Sequence, residues 1–190
     1  YPKLPELIKY LKSLEATKSI FLVTNGQEPD MIQKLQDEDA LPTQLYLSTN
    51  AADYESFIKI NKPKYDDSWE RWNRTLDMLK NLDTRTVLRI TLIRDYNDQK
   101  EMIPAFADMF RKASPHFIEI KSYMHIGRST NRLEHENMLE MHEVKKFSEQ
   151  IAKQSKIFSV MDESLVSRIS ILQNNERFID RYIPTYANTN

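Results

Sequence analysis

Two hydrophobic periodicities alternate along this chain, and the alternation constrains its fold more than any other feature. Leu4, Leu7, Ile8, Leu11 and Leu14 recur at helical spacing and predict an amphipathic helix over 4–15. Ser19 to Val23 is a short apolar run that stops at Thr24-Asn25-Gly26, the pattern of a strand entering a turn. The exchange then repeats. A short helix on Met31, Ile32 and Leu35 leads to a strand at 43–47 that ends in Ser48-Thr49-Asn50. A weak helix at 51–60 and a stronger one at 67–81 lead to a strand at 86–93. Asn97-Asp98 predicts the N-cap of a helix that Met102, Ile103, Phe106, Met109 and Phe110 carry to about 113, and a strand follows at 117–124. After a polar loop at 125–139 come a helix at 140–155 and two short apolar pieces near 157–161 and 166–172. Strands separated by helices predict parallel pairing with helical crossovers. Four such strands are too few to close an eight-stranded barrel. The expected fold is α/β, either an open sheet or part of an incomplete barrel.

The length of 190 residues predicts one domain, here 1–173, followed by a polar tail at 174–190. With 40% hydrophobic and 29% charged residues, the composition is that of a soluble globular chain. No apolar run approaches the roughly 18 residues that span a bilayer, and Tyr1-Pro2-Lys3 opens no signal peptide. A first residue other than methionine predicts that the chain was cut from something longer. The sequence has no cysteine, which excludes disulfides, thiolate zinc sites and cysteine-ligated clusters within these residues and fits a cytoplasmic protein. A net charge of -1 offers no global attraction to nucleic acid, so any RNA contact must come from a local patch.

Candidate sites come from strand ends and strand faces. In parallel α/β folds, ligands bind at the carboxyl ends of strands. Here those ends are Thr24-Asn25-Gly26, Ser48-Thr49-Asn50, Arg94-Asp95-Tyr96-Asn97 and Met124-His125-Ile126-Gly127. Gly26 and Gly127 are the only glycines, which predicts backbone demands at both, either positive φ or close approach. Alternation puts Arg89 and Thr91 on one strand face, and Glu119 and Lys121 on one face of the next. A strand covered on both sides should be nearly all apolar. Arg89, Glu119 and Lys121 therefore either line a polar cavity or neutralise one another. Gly127, Arg128, Ser129, Thr130 and Arg132 form a loop suited to phosphate contacts, or simply a solvated loop. None of the four histidines has metal-ligand spacing, and Trp69 and Trp72 read as a core-facing stripe.

The order of these segments resembles one family. Tyr1-Pro2-x-Leu4-Pro5-Glu6-Leu7-Ile8 resembles the segment after the Gly-Glu-Pro motif of radical S-adenosylmethionine (SAM) enzymes, and Phe21 to Gly26 resembles their third strand. Thr43 to Ser48 with Asp53 and Ile60-Asn61-Lys62-Pro63, then Arg89 to Ile93 with Asn97, are similar to the fourth and fifth strands of the 4-demethylwyosine synthases of tRNA wybutosine biosynthesis. Phe117 to Met124 with Gly127 and Ser129 resembles their sixth strand, and Asp162-Glu163-Ser164 with Ser167-Arg168 their closing segment.

The resemblance implies part of an incomplete (β/α)6 radical SAM barrel, mostly parallel, with outer helices. It implies a four-iron, four-sulfur cluster and SAM in the full-length enzyme, with cleavage of SAM to a 5′-deoxyadenosyl radical. It further implies that a two-carbon unit from pyruvate is joined to N1-methylguanosine at position 37 of phenylalanine tRNA, closing the third ring. Carried onto this sequence, Thr24, Asn25, Gly26, Ser48, Asn50, Arg89 and Asn97 would border SAM. Glu119 and Lys121 would face the cavity, and Arg128 and Arg132 would meet the tRNA. The cluster ligands are absent from the chain, so it is expected to be inactive alone and to need the missing N-terminal part as partner. The alternative is a non-catalytic α/β module that binds RNA or a protein partner.

Overall fold

The computed structural model describes residues 1–183, and the end of the expected tail, 184–190, lies outside them. Six helices and six strands follow in the order α1 (Leu4–Ser13), β1 (Phe21–Thr24), α2 (Pro29–Asp37), β2 (Gln44–Ser48), α3 (Tyr54–Asn61), α4 (Ser68–Met78), β3 (Arg85–Leu92), α5 (Ile103–Ala113), β4 (Phe117–Ser122), α6 (Met141–Ser155), β5 (Phe158–Ser164) and β6 (Ile169–Asn174). Short 3-10 turns occupy 79–81, 100–102, 127–131 and 135–137.

The strands form one sheet in the order β1-β2-β3-β4-β6-β5. The first four pair in parallel, β4 pairs antiparallel with β6, and β6 pairs antiparallel with β5. The two apolar pieces read near 157–161 and 166–172 are thus a closing hairpin whose second strand inserts next to β4. The fold is mixed α/β, with a mostly parallel sheet and surrounding helices.

Register separates the two faces. Leu45, Leu47, Leu88, Ile90, Ile118, Ile120 and Leu172 alternate onto one face, where they share a single core with helix residues such as Ile8, Leu35, Leu76, Phe110 and Ile151. Trp72 is in that core, and Trp69 packs against it with ring centroids 5.3 Å apart, so the tryptophan stripe faces inward. The opposite face carries Phe21, Val23, Tyr46, Ser48, Arg89, Thr91, Glu119 and Lys121. Phe21 is 46% and Val23 45% exposed there, on a strand that has a neighbour on one edge only among the described residues. At the strand-start end of this face, Arg85 donates to the backbone carbonyls of Asp180, Arg181 and Tyr182, which lays the chain's last described segment across the sheet.

Local chemistry sets the helix ends. Asp53 accepts from the Ser56 amide at 2.9 Å and caps α3. Lys62 closes α3 in the left-handed conformation (φ 46°), and Pro63 blocks any continuation. The N-cap expected at Asn97-Asp98 is not formed: a 3-10 turn at 100–102 starts the helix and α5 proper begins at Ile103. Asn97 is instead fully buried, because three backbone groups of the strand-end loops need its amide.

Candidate functional site

The carboxyl ends of β1 and β2 open into a cleft of about 600 Å³, within the range of small-molecule sites. Asn25, Ser48 and Asn50 line it, together with Gln27, Lys62 and Tyr65. The turn after β1 is held from within and from behind. Thr24 Oγ1 accepts from the Gly26 amide at 3.0 Å, and Asn25 Oδ1 accepts from the Gln27 amide at 3.2 Å. From behind, Thr75 donates to the Gly26 carbonyl at 2.8 Å, and the Trp72 indole donates to the Ser48 carbonyl at 3.1 Å. One face of α4 thereby fixes both strand-end loops.

Gly26 has φ 76°, and a Cβ on it would lie 2.8 Å from Leu47 Cδ1 and 3.1 Å from Trp72 Cδ1. Its smallness serves packing against β2 and α4. Gly127 has φ 62° but nothing within 4 Å of a would-be Cβ, so only its backbone conformation calls for glycine.

Asn50 and Asn97 bracket the next loops. Asn97 Nδ2 donates to the carbonyls of Asn50 and Thr91, each at 2.9 Å, and its Oδ1 accepts from the Ile93 amide at 2.7 Å. Asn50 Oδ1 accepts from the Thr91 amide at 3.0 Å. Asn97 has spent both donors on the backbone, whereas Asn50 Nδ2 has no partner among the described residues and is on the cleft wall.

Arg89 and Glu119 are directly opposed in register and joined, Nε to Oε1, at 2.8 Å. The Arg89 guanidinium also lies 4.7 Å from the Tyr46 ring centroid. Of the two readings open for these charges, mutual neutralisation is formed for this pair. Burial, and after it the Glu119 carboxylate, push the Tyr46 phenol up to about 12, so Tyr46 keeps its proton and presents an O–H donor. Lys121 shares the face, in register with Thr91 and Ile169, without an acidic partner among the described residues.

Arg128 lies within the 3-10 turn at 127–131 and Arg132 just after it, both exposed and without acidic partners among the described residues. The loop hydroxyls are otherwise used: Ser129 donates to the Ile126 carbonyl at 2.6 Å and Thr130 to the Gly127 carbonyl at 2.8 Å. Sequence reasoning missed what anchors this loop. Arg94 holds Glu143 with two bonds of 2.7 Å and also donates to the Glu136 and Met138 carbonyls. Those bonds hold the Glu143 carboxyl below the usual range. An arginine just past a strand and a glutamate three residues into the first turn of α6 were the available signal.

The cleft suits a polar small molecule. Gln27 Oε1 is buried without a partner while its Nε2 donates to the Ser68 carbonyl at 3.0 Å. That acceptor, the unspent Asn50 amide and the Ser48 hydroxyl fit a ligand with both donors and acceptors, as SAM is. No group of three or more His, Asp or Glu suited to a metal exists among the described residues, so a cluster does not fit them.

The family described as wyosine base formation matches residues 112–174. The tRNA 4-demethylwyosine synthase of Methanocaldococcus jannaschii is 41% identical over 182 residues, 95% of this chain and 54% of that protein. The synthase of Pyrococcus abyssi is 35% identical over 176 residues, 93% of this chain and 50% of that protein. A solved structure of TYW1 with a lysine-pyruvate adduct bound superposes with TM-score 0.80 at 39% identity, covering 94% of this chain and 54% of the other. The chain belongs to the tRNA 4-demethylwyosine synthase family, as its C-terminal part. It spans about half the length of the curated synthases it matches. Both relatives are named as SAM-dependent. No helix among the described residues is long and apolar enough to cross a membrane.

Proposed function

We propose that this chain is part of a radical SAM enzyme that forms 4-demethylwyosine from N1-methylguanosine-37 of phenylalanine tRNA and pyruvate, in the cytoplasm. The observation that carries the reading is the set of unspent polar groups on Gln27, Ser48 and Asn50, gathered where parallel strands end. Asn25, Ser48 and Asn50 would contact SAM in this cleft. Thr24 and Gly26 would shape the turn behind it, Asn97 would hold Asn50 in place, and Arg89 would border it from the sheet face. Glu119 and Lys121 would face the reacting groups, and Arg128 and Arg132 the tRNA. Pyruvate enters the reading through the relative whose structure holds a lysine-pyruvate adduct.

Bound SAM would supply the radical-forming chemistry of the family. An iron–sulfur cluster would need ligands from outside these 190 residues, which contain no cysteine. The chain's own residues bind and orient: the fixed backbone of both loops holds polar groups in place before a ligand arrives.

The test is calorimetric titration of SAM into the 190-residue chain and its Ser48→Ala and Asn50→Ala forms. The expected Kd is about 1 mM or tighter, weakened about fivefold or more by either change. No heat from a well-folded chain removes SAM from this cleft. Reductive SAM cleavage by the chain alone overturns its proposed dependence on the rest of the enzyme.

A further inference from the structure

Next to the cleft, three basic residues line a small hollow with no carboxylate among its lining residues. Lys59 in the last turn of α3, Lys62 at its end and Arg132 after the 127–131 turn line a space of about 70 Å³, with Tyr96 as the polar wall. None of the three makes an ion pair among the described residues, a state they share with Lys121 and Arg128, and what sets them apart is that they border one hollow. Lys59 has turned to the Tyr96 ring instead, 4.9 Å from its centroid. Like charges around one hollow repel one another. The C-terminal dipole of α3 offsets only a fraction, about 0.3–1 kcal/mol for a nearby cation. An anion seated among the three would relieve that repulsion. The hollow has room for one oxyanion and none for a nucleoside.

We propose that this hollow is a phosphate site, and that a backbone phosphate of the RNA substrate fills it. The inference rests on the reading of the protein as an RNA-modifying enzyme, and it adds Lys59 and Lys62 to the RNA contact that this reading gives to Arg132. Lys62 lines both the hollow and the 600 Å³ cleft. A phosphate held there sets the RNA backbone at the rim of the cleft. Arg128 lies outside the hollow, so the site can be tested apart from the loop's general positive charge.

The experiment titrates a phenylalanine tRNA transcript, and separately inorganic phosphate, against the 190-residue chain and four forms of it: Lys59→Gln, Lys62→Asn, Arg132→Gln and Arg128→Gln. Asparagine is chosen at 62 because it tolerates the left-handed backbone. All four positions are exposed, and equal unperturbed Tm values confirm folding. Each change in the hollow should weaken RNA binding about three- to tenfold and flatten the plot of log K against log salt by about 0.7–0.9. Inorganic phosphate should raise Tm in the unchanged chain and in Arg128→Gln only. If the three hollow variants bind RNA and phosphate like the unchanged chain, the site is disproved. If RNA binding falls in Arg128→Gln alone, the RNA-modifying reading stands and this site falls. Loss of phosphate protection with RNA binding unchanged makes the occupant free phosphate and overturns the RNA half. Phosphate protection that needs all three cations, in a chain with no RNA affinity, keeps the site and removes the RNA reading from this part of the enzyme.

Discussion

The side-chain amide of Asn97 donates to the backbone carbonyl of Asn50 at 2.9 Å, tying the loop after β3 to the loop after β2. The same amide bridges Thr91 and Ile93, so one buried side chain closes three backbone valences. Asn97→Ala leaves those groups unpaired at about 1–3 kcal/mol each before relaxation. The expected loss is about 2–4 kcal/mol in urea denaturation. Weaker SAM binding should accompany it, because Asn50 is no longer held. A loss under 1 kcal/mol would show that water replaces the bracket freely.

Gly26 and Gly127 make a controlled pair, since both have positive φ and only Gly26 is crowded. Gly127→Ala should cost about 1 kcal/mol from its backbone alone. Gly26→Ala adds a clash with Leu47 and Trp72 and should cost about 2–4 kcal/mol. Equal losses in thermal unfolding would mean that α4 gives way without resistance.

Arg89→Met strands the buried Glu119 carboxylate, which is 8% exposed, and Glu119→Leu strands Arg89. Each single change should destabilise by about 2–3 kcal/mol, less than for a fully enclosed pair because Arg89 keeps some solvent. The double variant should recover most of the loss. A double-mutant cycle with no coupling would mean that each charge is held by something other than its neighbour.

His116 supplies a pH dependence. Its Nδ1 accepts from the Thr86 amide at 3.1 Å, which requires the neutral ring. Burial first, then Arg177 and Arg85, lower its pKa from 6.5 to about 4. The unfolded chain therefore takes up this proton before the folded one does. The stabilisation is complete above pH 6.5 and is lost as pH falls towards 4. After discounting for the ring's partial exposure, the expected loss is about 1–2 kcal/mol. His116→Asn keeps an acceptor without a titrating proton, so its stability curve should be flatter between those limits. Parallel curves would place the titration elsewhere.

Much of the scaffold was legible because it follows period: β1 to β4 and their helices lie within a few residues of where apolar spacing puts them. Asn25, Ser48 and Asn50 were findable because strand ends in parallel sheets face a common opening. The hairpin position of β6 was not, since nothing in Ile169 to Asn174 says that it pairs with β4 ahead of β5. Asn97 looked like a helix cap because its sequence neighbours resemble one, and only the tertiary crowding of three backbone groups shows otherwise. Lys59 and Lys62 were not separable from any other solvated lysine until the fold brought Arg132 beside them.

The insertion of β6 between β4 and β5 has a consequence for biosynthesis. On a ribosome, β1 to β4 emerge first and can align in order, yet the exposed edge of β4 finds its neighbour only after β5 and the turn beyond it have been made. Until then the newborn chain carries a naked strand edge flanked by Ile118 and Ile120, the kind of surface that chaperones cover. A stop codon ahead of Ile169, which removes residues 169–190, would therefore leave β4 unsealed and β5 with no strand to pair with.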